Sequence, residues 1–175
     1  MNTPTIITRR LRKHVTTARA LPQRRDVPLY YISKRTVSAK ELDRFFELTL
    51  QWCETQFGVK GRTPVPYLEW QWNNRECQEY KYLGLYDWQD NTIWVRIQGH
   101  RTIYNLAKTI IHEYIHYLQP QTKGQYDQWD EAVGYWDNPY EIEAEGIAGL
   151  YNAECVDTVL RWMGKSNRSK RRGSR

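Results

Sequence analysis

Only three cysteines occur in 175 residues, Cys53, Cys77 and Cys155, and none forms a C-x-x-C pair. An odd, widely spaced set excludes both a disulfide framework and a cysteine-based zinc site as the organising device. No apolar run approaches the roughly 20 residues that a membrane helix needs. Residues 1–25 lack the apolar stretch of a secretory signal. They are Arg- and Thr-rich, as organelle transit peptides are, but Ala20-Leu21-Pro22 would interrupt a long amphipathic helix there. The expectation is a cytoplasmic protein with no membrane span. Acidic residues are missing from both ends: residues 1–25 hold seven Arg or Lys and no acid, and residues 161–175 hold another seven and no acid. Histidine is scarce too, at four.

Taking those 14 basic residues away leaves 12 basic and 20 acidic residues for positions 26–160, a net charge of −8 inside a chain of net +6. The division this implies is a basic flexible arm (1–27), one domain (28–163) and a basic disordered tail (164–175). Such arms can make weak contacts with nucleic acid or another anionic partner. Aromatics are plentiful, with 8 Trp, 13 Tyr and 3 Phe. Their hydroxyl and indole groups need partners, which places many of them at a core boundary or along a groove.

Leu29-Tyr30-Tyr31-Ile32 has the composition of an entering strand. Ser38 and Glu41 form a capping box for a helix carrying Leu42, Phe45, Phe46, Trp52 and Cys53, which Gly58 stops. Strands are predicted over Tyr67–Trp72, with Leu68, Trp70 and Trp72 on one face, over Tyr80–Trp88, and over Thr92–Ile97, with a turn at Asn73–Glu76. Residues 102–118 then give Ile103, Leu106, Ala107, Ile110, Ile111 and Ile115 at helical spacing, ended by Pro120. Residues 119–137 show no clear period and are read as a long loop, a wall or lid. Asn138-Pro139 opens a final helix to about residue 163. The fold class is α+β, a small antiparallel or mixed sheet with helices.

The chemistry concentrates in His112-Glu113-Tyr114-Ile115-His116. Histidines four apart on a helix stack on one face and can bind one Zn²⁺ through their ring nitrogens. The glutamate beside the first can act as general base on an activated water. A third ligand must come from elsewhere. His14 lies in the arm and His100 just before the helix. Glu141-Ile142-Glu143-Ala144-Glu145, at the start of the last helix, is the better source. Glu141 and Glu145 share a face, so Glu141 could bind the metal while Glu145 fixes a ligand histidine; Glu143 stays open as an alternative ligand. Ala144, Gly146, Ala148 and Gly149 would let the two helices approach closely.

A strand hairpin, an H-E-x-x-H helix, a loop and an Asn-Pro-x-Glu-x-Glu-Ala-Glu helix together resemble the zincin metallopeptidases of gluzincin type, over about residues 65–160. The compact form is similar to minimal zincins of bacteria and phages. Gluzincins carry Asp where Glu145 stands. The resemblance implies a zincin-like fold with an active-site helix and a C-terminal ligand-bearing helix. It also implies a zinc metallopeptidase, a hydrolase acting on a polypeptide substrate, with Zn²⁺ on His112, His116 and Glu141 and with Glu113 as general base. Tyr135 or Tyr140, and less so His100, would supply the oxyanion donor. Thr92–Ile97 would be the edge strand that pairs with substrate, and Trp88, Trp94, Trp129 and Trp136 could line the groove. The alternatives are a nucleic-acid-associated protein of this fold and a metal-binding regulatory domain without turnover.

Overall fold

The computed structural model describes residues 38–72, 82–120 and 124–164. The basic arm, the run Leu29–Ile32, the turn at Asn73–Glu76, Cys77, Tyr80 and the tail from residue 165 lie outside the described residues. What is described is α+β: three long helices and a three-stranded sheet share one core.

Helix α1 (Ala39–Phe57) begins as its sequence requires. Ser38 stays extended, its hydroxyl accepts from the Glu41 backbone N–H at 3.3 Å, and the Glu41 carboxylate accepts from the Ser38 backbone N–H at 3.0 Å. The helix stops at Gly58, whose φ of +79° favours glycine. Leu42, Phe45, Phe46, Trp52 and Cys53 are buried. The Trp70 indole N–H donates to Asp43 at 2.7 Å and ties the sheet to this helix.

The strands are β1 (Tyr67–Gln71), β2 (Gly84–Asp87) and β3 (Thr92–Arg96), in the order β1-β3-β2. The sheet is mixed, β1 parallel and β2 antiparallel to β3. This corrects one expectation. The run Thr92–Ile97 is no edge strand, because β3 pairs on both sides. Its Ile93 and Val95 are completely buried, as β-branched residues in a central strand are. The edge beside the motif helix is β2 instead.

Helix α2 (Ile103–Leu118) carries the motif and buries the apolar stripe read from its spacing. Two further residues of the motif region, Tyr114 and Tyr117, are fully buried. Their hydroxyls reach the carbonyls of Gly58 (2.8 Å) and Thr63 (3.0 Å), which satisfies both phenols and pins the segment after α1 against α2.

The long loop expected at 119–137 is also corrected. It contains helix α3 (Gln125–Val133) and a short 3₁₀ turn (Tyr135–Asp137). No residue of α3 is buried. A helix without a core-facing stripe gives no period to read, and here glycines of φ +79° at both ends, Gly124 and Gly134, are the boundaries.

Helix α4 (Pro139–Trp162) starts at Asn138, whose side chain accepts from the Tyr140 N–H at 3.1 Å. Ala144 and Ala148 are fully buried in the core that Ala107 of α2 shares. They, and not the glycines, allow the close approach of α4 to α2. Gly146 and Gly149 are exposed, and an added Cβ at either would meet nothing within 4 Å. No helix among the described residues is long and apolar enough to cross a membrane.

Candidate metal centre

The last two turns of α2 and the first turn of α4 place three side chains against each other. His112 and His116 present their Nε2 atoms 3.0 Å apart. Glu141 approaches both, with Oε2 3.1 Å from His112 Nε2 and Oε1 3.2 Å from His116 Nε2. Each of the three offers one ligand atom, and these lie within 4.8 Å of one another. Glu141 is the carboxylate of the acid cluster that joins the histidines; Glu143 and Glu145 are not in this group.

The donor chemistry fits a cation. Two imidazole nitrogens 3.0 Å apart face one carboxylate, so three groups able to offer a lone pair converge on one point. Glu141 Oε2 is buried and faces His112 Nε2 at 3.1 Å without the alignment of a full hydrogen bond. A buried carboxylate oxygen is expensive to leave poorly paired, and a shared divalent ion would satisfy it. Burial works to raise the Glu141 pKa, but the His112 and His116 imidazoles and the Tyr126 hydroxyl outweigh it and hold the carboxyl well below its ordinary range. Burial likewise works against the charged form of His116, and Glu141 and Glu113 reverse the balance, so its pKa is raised. A set of two imidazoles and one carboxylate suits a divalent transition metal.

Glu113 faces the same space from the adjacent position on α2. Its Oε2 accepts from the Tyr86 backbone N–H at 2.9 Å. Burial, the largest influence, raises its pKa above the ordinary value; His112 and His116 oppose this and Glu141 adds to it. The approach of β2 to α2 depends on Gly84. A Cβ there would lie 2.5 Å from Thr109 Cγ2 and 2.9 Å from Glu113 Oε1. Among the tyrosines of this segment, that glycine was the available signal of a close backbone approach.

A cleft of about 430 Å³ opens over these groups, walled by β2 on one side and by α3 and the 3₁₀ turn on the other. Tyr135 lines it, and burial together with a hydrogen bond to Glu141 raises its pKa. Tyr140 does not line it; it is buried, with its ring centroid 6.2 Å from that of Tyr126. His100 is also elsewhere. Its Nδ1 meets the Arg96 carbonyl at 2.8 Å and its Nε2 meets Thr109 Oγ1 at 2.9 Å, a pin between the end of β3 and α2. Of the four tryptophans expected along the groove, Trp88 lines it, whereas Trp94, Trp129 and Trp136 do not.

The sequence reading missed two residues that touch the centre. The Tyr126 hydroxyl donates to Glu141 Oε1 at 2.6 Å. Gln119 Oε1 meets His116 Nδ1 at 2.8 Å. Gln119 follows His116 by three positions, a helical neighbour, which was its only signal. Glu145 has one oxygen 3.8 Å from His112 Nδ1, and its other oxygen pairs with Lys108. Comparison of the chain with models of protein families, with curated proteins and with solved structures finds no match in any of the three.

Proposed function

We propose that this chain is a zinc-dependent metalloendopeptidase with a zincin-like fold of gluzincin type, holding Zn²⁺ on His112, His116 and Glu141. The observation that carries the reading is the convergence of these three donors beside Glu113 in one open cleft. When bound, the metal supplies a Lewis acid that polarises a carbonyl and lowers the pKa of water.

Glu113 is the general base. Tyr86 N–H holds Oε2, which leaves Oε1 as the atom that takes a proton from water as the water oxygen bonds to the scissile carbonyl carbon. The same atom returns the proton to the amide nitrogen as the C–N bond breaks, giving a carboxylic acid and an amine, and the acid then loses its proton to solvent. Burial favours the protonated form of Glu113, which suits a group that must carry a proton between two steps. Tyr135, a phenol kept protonated in the cleft, is the donor for the developing oxyanion. The substrate is a polypeptide, and the cytoplasm is the place of action, in keeping with the free buried thiols of Cys53 and Cys155.

The deciding measurement is metal content. The full chain, purified under metal-replete conditions, should carry one zinc, and His112→Ala and Glu141→Ala should lose it. A zinc-free intact protein overturns the reading. Zinc retained without cleavage of any unfolded protein substrate favours a metal-binding regulatory domain.

Charge supports a second role. Fourteen basic residues sit in residues 1–25 and 161–175 of a chain whose middle is acidic, a pattern for holding nucleic acid or another polyanion. Deleting residues 1–25 and 165–175 should abolish salt-sensitive DNA binding and leave peptide cleavage intact.

A further inference from the structure

Gln119 stands just past the end of α2 and is 1% exposed. Every polar group it has is engaged. Its backbone N–H bonds to the Ile115 carbonyl at 3.0 Å, and its own carbonyl accepts from Lys60 Nζ at 2.7 Å. Its side-chain Nε2 donates to the Tyr140 carbonyl at 2.9 Å and to Glu143 Oε2 at 3.1 Å. Those two acceptors decide which way the amide points, because a flipped oxygen would face two oxygens. Oε1 is therefore the atom 2.8 Å from His116 Nδ1, and that nitrogen must carry a hydrogen to donate. In the neutral ring that a metal would bind, Nε2 then keeps the lone pair and faces His112 and Glu141.

We infer that Gln119 is the positioning residue of the centre: it fixes the tautomer and ring angle of His116, and Glu143 and the Tyr140 carbonyl fix Gln119. This rests on the metal reading above and adds to it. The partner is a neutral amide rather than a carboxylate, so it orients the imidazole without adding charge. It also gives Glu143 a role. Glu143 belongs to the acid cluster yet serves as the anchor of the amide rather than as a ligand. The two histidines differ accordingly. His116 is locked through a buried amide, whereas the nearest carboxylate to His112 Nδ1 is that of Glu145, at 3.8 Å, with a side chain 58% exposed.

The test compares the intact full chain with Gln119→Met and Gln119→Glu, titrating Zn²⁺ against a chromophoric chelator. Methionine fills similar space but cannot accept the Nδ1 hydrogen, and zinc affinity should fall about 10- to 100-fold. Glutamate keeps an acceptor and, with its other oxygen protonated, can still donate to Glu143, so it should recover part of that loss. A merely structural role would give the opposite order, with the glutamate variant, set against Glu143, the worse of the two. Should the methionine variant fail to fold, ¹⁵N NMR of the zinc-loaded intact chain reads the tautomer directly. A slowly exchanging Nδ1 hydrogen on His116 supports the inference, and zinc on Nδ1 overturns it. Zinc affinity within twofold of the intact chain in a folded Gln119→Met overturns it as well, while leaving the metal reading standing. An intact chain that takes up no zinc refutes that reading itself.

Discussion

Helices α3 and α4 meet at one carboxylate, and they are held in place by opposite means. Helix α4 spans 24 residues and buries Ala144, Ala148, Cys155, Val156 and Val159 completely. Glu141 is therefore presented by a rod packed along much of its length. Helix α3 has nine residues and buries none. Polar ties near the centre include the Tyr126 hydroxyl on Glu141 and the Asn138 amide on the Tyr126 carbonyl. One wall of the cleft is thus built by apolar packing and the other by polar contacts to the site itself. Hydrophobic burial is non-directional and additive, whereas a hydrogen bond contributes about 1 kcal/mol net and depends on its partner remaining in place. The rigid side carries the ligands, and the weakly held side carries Tyr135.

The largest effect should come from the rigid side. Glu113→Gln keeps the size of the side chain and removes the base. Cleavage of an unfolded protein substrate should fall about 10²- to 10⁴-fold with zinc content unchanged. Equal loss of zinc and activity would mean that Glu113 holds the site together rather than moving a proton.

Gly84→Ala probes the same side by crowding. The new Cβ would sit 2.5 Å from Thr109 and 2.9 Å from Glu113 Oε1. Thr109 lies on the packed α2, so β2 must shift outward and take the Tyr86 N–H away from Glu113. We expect a loss of about 1–3 kcal/mol in thermal or urea unfolding, with a fall in turnover that exceeds the fall in zinc affinity. Unchanged stability would show that the strand and helix have more freedom than the packing implies.

The same contrast separates what the sequence made legible from what it did not. The stripe Ile103, Leu106, Ala107, Ile110, Ile111 and Ile115 named α2 because each position is buried, and the capping residues Ser38 and Asn138 named the starts of α1 and α4. Burial imposes period, and period can be read. Helix α3 left no such trace. Strand order was hidden for another reason. The composition of Thr92–Arg96 shows that it is a strand, but whether a neighbour lies on one side or two depends on β1 returning from 25 residues earlier. At the centre, spacing found His112, Glu113 and His116, since one turn of helix fixes their relations, and Glu141 came from the acid cluster that opens the next long helix. Tyr126 and Gln119 act across elements, and only the folded chain brings them to the site.

Tyr126→Phe tests the weakly held wall. It removes the bond to Glu141 and keeps the ring. The expected loss is about 1 kcal/mol. Global unfolding should move less than that, because no residue of α3 is fully buried. Amide hydrogen exchange should quicken across residues 125–133 and stay unchanged in α2 and α4. Uniformly faster exchange would show that α3 is part of the cooperative core after all.

The smallest effect returns to α4, at the positions where packing does not act. Gly146 and Gly149 lie in the interior of this helix, face solvent and leave open space for a methyl group. Glycine there costs backbone entropy without any compensating contact, since Ala144 and Ala148 already supply the close approach to α2. Gly146→Ala and Gly149→Ala should each stabilise the protein by about 0.5–1 kcal/mol, through the unfolded chain more than the folded one. Zinc affinity and cleavage should not change, because neither position touches Glu141 or the cleft. Destabilisation at either position would mean that this face of α4 is covered by another part of the chain or by a partner, which the double substitution followed by thermal unfolding at two protein concentrations would separate.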